Sequence, residues 1–140
     1  MTSTFGDREP GRLYVDRTAA YVVVRKDNGI AAVCHKGKCF LPGGECEEGE
    51  TPELTLKREA REELGVQLRI IESLGEAVQY FYSSDAGRHF KTHASFFRGE
   101  FGGPSGEKGK YEVSWIPLDE IEKKFFHEFQ IWAVRKALSE

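Results

Sequence analysis

Glu59, Glu62 and Glu63 stand within five residues of one another, beside Arg58, nine or more positions after Glu50 and fifteen or more after Gly44. Carboxylate oxygens are the ligands that hard divalent cations take, commonly with waters and phosphate oxygens completing the shell. The run over residues 44–66, GECEEGETPELTLKREAREELGV, follows the glycine turn Leu41-Pro42-Gly43-Gly44. It reads as a cluster that holds divalent cations against a phosphorylated substrate. A pyrophosphate carries dense negative charge that repels an attacking water. Divalent ions on oxygen ligands neutralise that charge, acidify a bound water and align nucleophile with leaving oxygen.

An acidic helix face with Arg58 and Arg61 as partners is the plainer alternative. Like charges three and four residues apart repel and weaken an isolated helix. The plainer reading must also account for Gly44, Glu50 and Gly65 at set distances. Seven such positions fall into register by accident roughly once in 10⁴–10⁵ sequences of this composition.

The elements that must carry the cluster follow from local signals. Residues 51–64 are predicted to form a helix: Thr51 suits the N-cap, Pro52 the first helical position and Gly65 the position past the end. Leu56, Ala60 and Leu64 form a narrow apolar stripe, and the spacing puts Glu59, Glu62 and Glu63 on one face. Residues 18–24 (TAAYVVV) and 30–33 read as strands around an Asn28-Gly29 hairpin turn. Lys36-Gly37-Lys38 makes a second turn. Residues 67–74 and 76–82 read as strand, 83–88 as a loop, 89–101 as strand and 111–116 as a last strand. Residues 119–124 read as a helical turn or short helix and 128–138 as a terminal helix. Residues 102–110 (GGPSGEKGK) are expected to be a mobile loop, and residues 1–16 a loose arm or irregular edge segment.

The 140 residues suit one domain, and 39% hydrophobic with 31% charged residues is a folded-protein balance. A net charge of -3 gives no support for binding nucleic acid or an anionic membrane. No apolar run approaches the roughly 18–20 residues that span a bilayer, and the first residues lack a signal-peptide layout. The three cysteines, Cys34, Cys39 and Cys46, are odd in number and include no CxxC pair. A cytoplasmic location is the default expectation. Cys34, His35, Cys39 and Cys46 match none of the usual paired zinc-ligand spacings, so the cysteines are expected to be small, partly buried thiols.

At residues 44–66 the sequence resembles the Nudix hydrolase family, MutT-like proteins that split nucleoside diphosphates linked to another moiety. The family box is Gly, five residues, Glu, seven residues, then Arg-Glu-aliphatic-any-Glu-Glu-any-Gly-aliphatic. Every charged and glycine position matches, and Ala60 is smaller than the usual bulky aliphatic. The box covers 23 of 140 residues. The resemblance implies an α/β fold, a mixed sheet sandwiched between helices (α/β/α). It implies Mg²⁺ or Mn²⁺ on Glu59, Glu62 and Glu63, with a backbone carbonyl at Gly43-Gly44 near the cation. Arg58 would orient the carboxylates and Glu50 would stabilise the box. Glu63 or Glu62 is the first choice for general base, with Glu107 and Glu112 as downstream candidates for base or extra metal ligand.

For substrate, the missing proline some fifteen residues beyond the box argues against the ADP-ribose subgroup. A MutT-like nucleoside triphosphate pyrophosphohydrolase is favoured. A dinucleoside polyphosphate hydrolase is the alternative, with Tyr80 and Tyr82 near the tyrosine position of that subgroup. A ligand sensor without turnover and an isoprenoid diphosphate isomerase on the same fold fit the intact box less well. Family members are monomers or dimers. Phe40, Tyr80, Phe81, Tyr82 and Trp115 are candidates to stack a base. Arg25, Lys36, Lys38 and Lys91 are candidate phosphate contacts. His35, His89, His93 and His127 are expected to be structural.

Overall fold

Strand β2 (Val15–Lys26) carries buried residues on both sides: Ala19 and Val23 on one, Ala20, Val22 and Val24 on the other. A strand apolar on both faces must lie inside a sheet with a layer packed on each. The computed structural model, which describes residues 2–139, places it there. β2 runs parallel to β7 (Arg88–Pro104) from Val15 opposite Phe90 to Val24 opposite Gly99. Its other side pairs antiparallel with β5 (Gly43–Glu45) and, at its end, with β3 (Gly29–His35). The eight-stranded mixed sheet has the order β1-β6-β7-β2-β3-β4, with β8 (Ser114–Pro117) paired to β3. Here β1 is Ser3–Phe5, β4 is Lys38–Phe40 and β6 is Val66–Ser83.

Helix α1 (Pro52–Glu59) covers one face, where Leu56 and Ala60 join Ala20, Val22, Leu68 and Phe97. After α2 (Ile121–Lys124), helix α3 (Glu128–Leu138) covers the other, where Phe129, Ala133 and Val134 join Ala19, Val23, Ala77 and Phe96. This is the expected α/β/α arrangement. Among the described residues no helix is long and apolar enough to cross a membrane.

The Thr51 hydroxyl accepts from the Leu54 N–H at 3.2 Å and Pro52 opens the helix, as the sequence predicts. The last turn differs. Residues Ala60–Leu64 form a π turn, closed by Gly65 in the left-handed region at φ 65°. Of the two forms expected for residues 1–16, a loose arm or an edge segment, residues 3–5 take the second, as an edge strand paired parallel to β6 at Ala77 to Gln79. Other expectations also change. Residues 66–83 form one strand with register shifts. The first hairpin turns at Asp27-Asn28, with Asp27 at φ 54°, and Gly29 already pairs with Lys26.

The thiol expectation fails for two cysteines. Lys36 and Gly37 both adopt left-handed backbone, φ 52° and 78°, making a two-residue turn that sets Cys34 opposite Cys39. Their Cα atoms are 4.1 Å apart and a disulfide joins them, while Cys46 is free and partly buried.

Leu56 is 1% exposed at the centre of the α1 contact. Leu56→Ala should destabilise the fold by about 2–5 kcal/mol, and Thr51→Ala by about 1 kcal/mol through the lost cap. Urea unfolding monitored by circular dichroism measures both. An unchanged midpoint for Leu56→Ala would contradict this packing.

Candidate active site

The box residues lie where α1 and its π turn pass over the loop between β5 and the helix. Arg58 organises them. Its Nε and Nη2 donate to the two oxygens of Glu50 at 2.7 and 3.0 Å, a bidentate pair. Its Nη1 donates to Glu59 at 2.6 Å and to Glu62 at 3.1 Å. Nη2 also donates to the backbone carbonyl of Glu45 at 3.2 Å. Glu50 Oε1 accepts in addition from the Glu47 N–H at 2.8 Å and the buried Thr55 hydroxyl at 2.9 Å. The bond from Arg58, then those from Glu47 and Thr55, hold the Glu50 carboxyl down at a pKa of about 2. Arg58 is correspondingly held above its ordinary value, first through Glu50.

Glu59 and Glu63 show the opposite. Burial raises the pKa of Glu59, against the pull of Arg58. Burial, then the neighbouring Glu59 charge, pushes Glu63 up to about 7, although the Gly43 N–H bonds its carboxylate and Lys110 opposes the shift. In both, removal from water disfavours the ionised form more than the nearby cations favour it.

The glycines of the turn have separate jobs. Gly43 lies at φ 142°, and a Cβ there would sit 2.1 Å from the Ala20 carbonyl oxygen, so only glycine lets β5 approach β2. A Cβ on Gly44 would meet the Glu59 side chain first, 2.5 Å from Oε2. The space beside Gly44 is the space the Glu59 oxygens occupy.

The donor set fits a divalent cation in its chemistry: all-oxygen and anionic. Among the described residues no three such side chains converge on one point. Glu62 is exposed and turned onto Arg58, while Glu63 lies on the Gly43 side. Glu112 is exposed, and Glu107 lies 3.9 Å from Arg61 of the π turn.

From Glu63, Gly43 and Gly44 a cleft runs past Tyr111 to Tyr21, His35 and Phe40. The same three side chains open onto a larger cavity of about 350 Å³, walled by Phe81, Phe126 and His127 with Arg17 and Thr92. Tyr21 stands where the two meet, and burial pushes its phenol to about 12, so it stays protonated. Burial, with Arg17 and Lys38 nearby, lowers His127 to about 4, so its imidazole is neutral at physiological pH.

Of the sequence candidates for base stacking, Phe40 and Phe81 wall this cavity and Tyr82 borders it. Tyr80 corrects the expectation: it packs against Tyr14 and Lys91 and is not in the cavity wall. Trp115 packs on Phe101 and Lys26, outside the cleft. Lys36 and Lys38 line the cavity, whereas Arg25 lies elsewhere on the surface. His35 and His127, expected to be structural, are both in its wall. Arg17, Thr92, Tyr21 and Phe126 were not anticipated. One signal was legible: Arg17, Ala19, Tyr21 and Val23 alternate on one side of β2, and a charge on an otherwise apolar row is out of place.

Residues 15–136 match the family described as NUDIX domain. A protein named MutT4 from Mycobacterium tuberculosis (strain CDC 1551 / Oshkosh) is 33% identical over 99 residues, 68% of this chain but only 40% of that protein. A MutT-like protein from Streptomyces ambofaciens is 32% identical over 125 residues, 84% of this chain and 72% of its own length. A NUDIX hydrolase from Nitrosomonas europaea shares the fold at a TM-score of 0.71 and 18% identity, over 89% of this chain and 90% of its own.

Because the Glu50 pKa falls from 4.5 to about 2 on folding, its bonds stabilise fully above pH 4.5 and are lost as pH falls toward 2. Glu50→Gln should lower stability at pH 7 and flatten the decline between pH 4.5 and 2, read from urea midpoints across that window. Equal slopes for variant and wild type would remove Glu50 as the origin of that acid limb.

Proposed function

The chain belongs to the Nudix family, and we propose that it hydrolyses a phosphoanhydride bond in a nucleoside triphosphate or another nucleoside-diphosphate-linked substrate, with Mg²⁺ or Mn²⁺ as cofactor. The observation that carries this reading is the continuity of the cleft. Tyr21, His35 and Phe40 belong both to the cavity that reaches Glu63 and to the aromatic cavity beyond it. A diphosphate seated at the carboxylates leaves its organic end facing aromatic side chains.

Glu59, Glu62 and Glu63 would hold the cation, with the Gly43-Gly44 turn beside them. A divalent ion bound there supplies charge neutralisation for the diphosphate and a more acidic water. The protein's own part is to aim and tune the carboxylates. Arg58 restrains Glu59 and Glu62, and Glu50 restrains Arg58. Glu63 has the raised proton affinity that suits a group taking a proton from water near neutral pH. Lys110 faces Glu63 and adds positive charge near the diphosphate's path. The MutT names of two relatives support a nucleoside triphosphate as the first substrate class to test.

Product release should be measured from dNTPs, oxidised dNTPs, dinucleoside polyphosphates and nucleotide sugars, with Mg²⁺ and with chelator. Cleavage of one class that chelator abolishes is the expected result. Silence across the panel with metal binding intact would favour a non-catalytic nucleotide sensor. Glu63→Gln should lower kcat by about 10²–10⁴-fold while leaving the melting curve in place, and a wild-type rate would take Glu63 out of the chemistry. Arg58→Ala should cost about 10- to 100-fold in activity through misplaced carboxylates. Gly44→Ala should displace the Glu59 carboxylate and lower turnover without unfolding the chain.

A further inference from the structure

We infer that the aromatic cavity holds the substrate's nucleobase, and that Arg17 and Thr92 make it select a 6-oxopurine or 4-oxopyrimidine over the corresponding amino base. The inference rests on the nucleotide-hydrolase reading above and adds a specificity to it.

Arg17 on β2 and Thr92 on β7 are direct register partners, side by side in the cavity lining. Thr92 is 2% exposed, and its hydroxyl has no hydrogen-bond partner among the described residues. Arg17 Nε is likewise buried without one. Its nearest carboxylate, on Glu45, lies at 3.6 Å, an ion-pair distance that does not satisfy the N–H. Buried polar atoms are nearly always paired, so two orphans side by side in a cavity mark a place where a ligand supplies the partner.

The guanidinium is held in place. Its carbon lies 5.0 Å from the centre of the Phe90 ring, and Phe90 stacks on Phe81 at 5.5 Å. Phe81 in turn meets the His127 ring at 4.5 Å. The cavity thus joins flat aromatic walls to a fixed polar edge, which suits a planar heterocycle. Phe126 and Tyr82, at 46% and 54% exposed, leave large ring surface uncovered at its border.

The polarity of that edge sets the preference. Arginine offers only donors and stays protonated. A carbonyl at position 6 of a purine or 4 of a pyrimidine accepts from Arg17, and the Thr92 hydroxyl can donate to the same oxygen. An amino group at that position sets donor against donor. It leaves the buried guanidinium N–H unpaired, the situation in which hydrogen-bonding sites reject an analogue most strongly. Asp85 and Lys36 also line the cavity but come from turns, and Lys38 lies on the separate strand β4, so they are not part of the Arg17–Thr92 edge.

The test uses the whole chain. Isothermal titration with GMP, IMP, UMP, AMP and CMP in chelator reads the base preference without turnover. The kcat/KM values for the matching triphosphates with Mg²⁺ read it again. The oxo compounds should lead their amino counterparts by about tenfold or more. Thr92→Val, which keeps the shape and removes the hydroxyl, should narrow that gap, in nucleotide binding and in KM more than in kcat. Thr92→Ser should preserve it, and Arg17→Lys should reduce it further. Equal binding and equal kcat/KM across the bases overturns the inference, as does a Thr92→Val protein with the full preference. Metal-dependent cleavage with no base preference sinks this specificity and leaves the hydrolase reading standing. An oxo preference in binding with no cleavage of any substrate does the reverse.

Discussion

The site depends on one cation wrapped in acceptors. Arg58 meets Glu50 with two N–H groups, Glu59 and Glu62 with a third nitrogen, and the Glu45 carbonyl besides. Glu47 is within ion-pair distance as well. Without that guanidinium the carboxylates of the helix and of the preceding loop would repel one another, and of these polar ties between α1 and residues 45–50 the Thr55–Glu50 bond would remain. The planar fork of arginine matters: lysine supplies the charge but not the bidentate geometry to Glu50. Arg58 does not set every carboxylate. Glu59 and Glu63 keep raised proton affinities, chiefly because they are drawn out of water beside the Gly43-Gly44 turn.

The strand alternation of β2 divides the labour. Ala20 and Val22 face α1 and help seat the carboxylate helix, while Arg17, Ala19 and Tyr21 face the α3 side. The two faces communicate at β5, which is only three residues long and pairs with β2 from Ala19 to Tyr21. Gly43 makes this possible by letting its backbone pass within reach of the Ala20 carbonyl, and its N–H then bonds Glu63. Tyr21 sits opposite Gly43 and opens onto the cavity. Chemistry on one face and recognition on the other meet at this pair.

This division explains what was legible in the sequence. The carboxylate box is local: Gly44 to Val66 is a turn, a capped helix and a stop, each signalled by neighbouring residues. The layering followed from apolar rows such as Leu56, Ala60 and Leu64. The cavity draws on β2, β4, β6, β7 and the start of α3, and no local pattern brings Phe40, Phe81, Thr92 and His127 together. Tyr80 and Tyr82 drew attention as tyrosines at a suggestive distance, while Phe81 between them faces inward. The Cys34–Cys39 bond was hidden because odd cysteine counts argue against pairing, and only the two-residue turn at Lys36-Gly37 sets the register that joins them.

The segment 102–110 shows how composition misleads when backbone contacts decide. Its four glycines suggested mobility. Instead β7 continues through Pro104, and the following loop seals the end of the carboxylate helix. A helix ends with carbonyls that lack partners. Here the Glu62 carbonyl accepts from the Lys110 N–H at 3.1 Å, Glu63 from Tyr111 at 2.7 Å, and Gly65 from Ser105 at 3.0 Å. The approach is so close that a Cβ on Gly109 would lie 2.4 Å from the Leu64 carbonyl carbon. Glycine is present at this position to permit contact. The π turn belongs to the same arrangement, since it forms the stretch that the loop caps and carries Glu62 and Glu63. The loop then delivers Lys110 to face Glu63 and Tyr111 to the cleft wall. A segment that looks like a tether is part of what aims the acidic cluster.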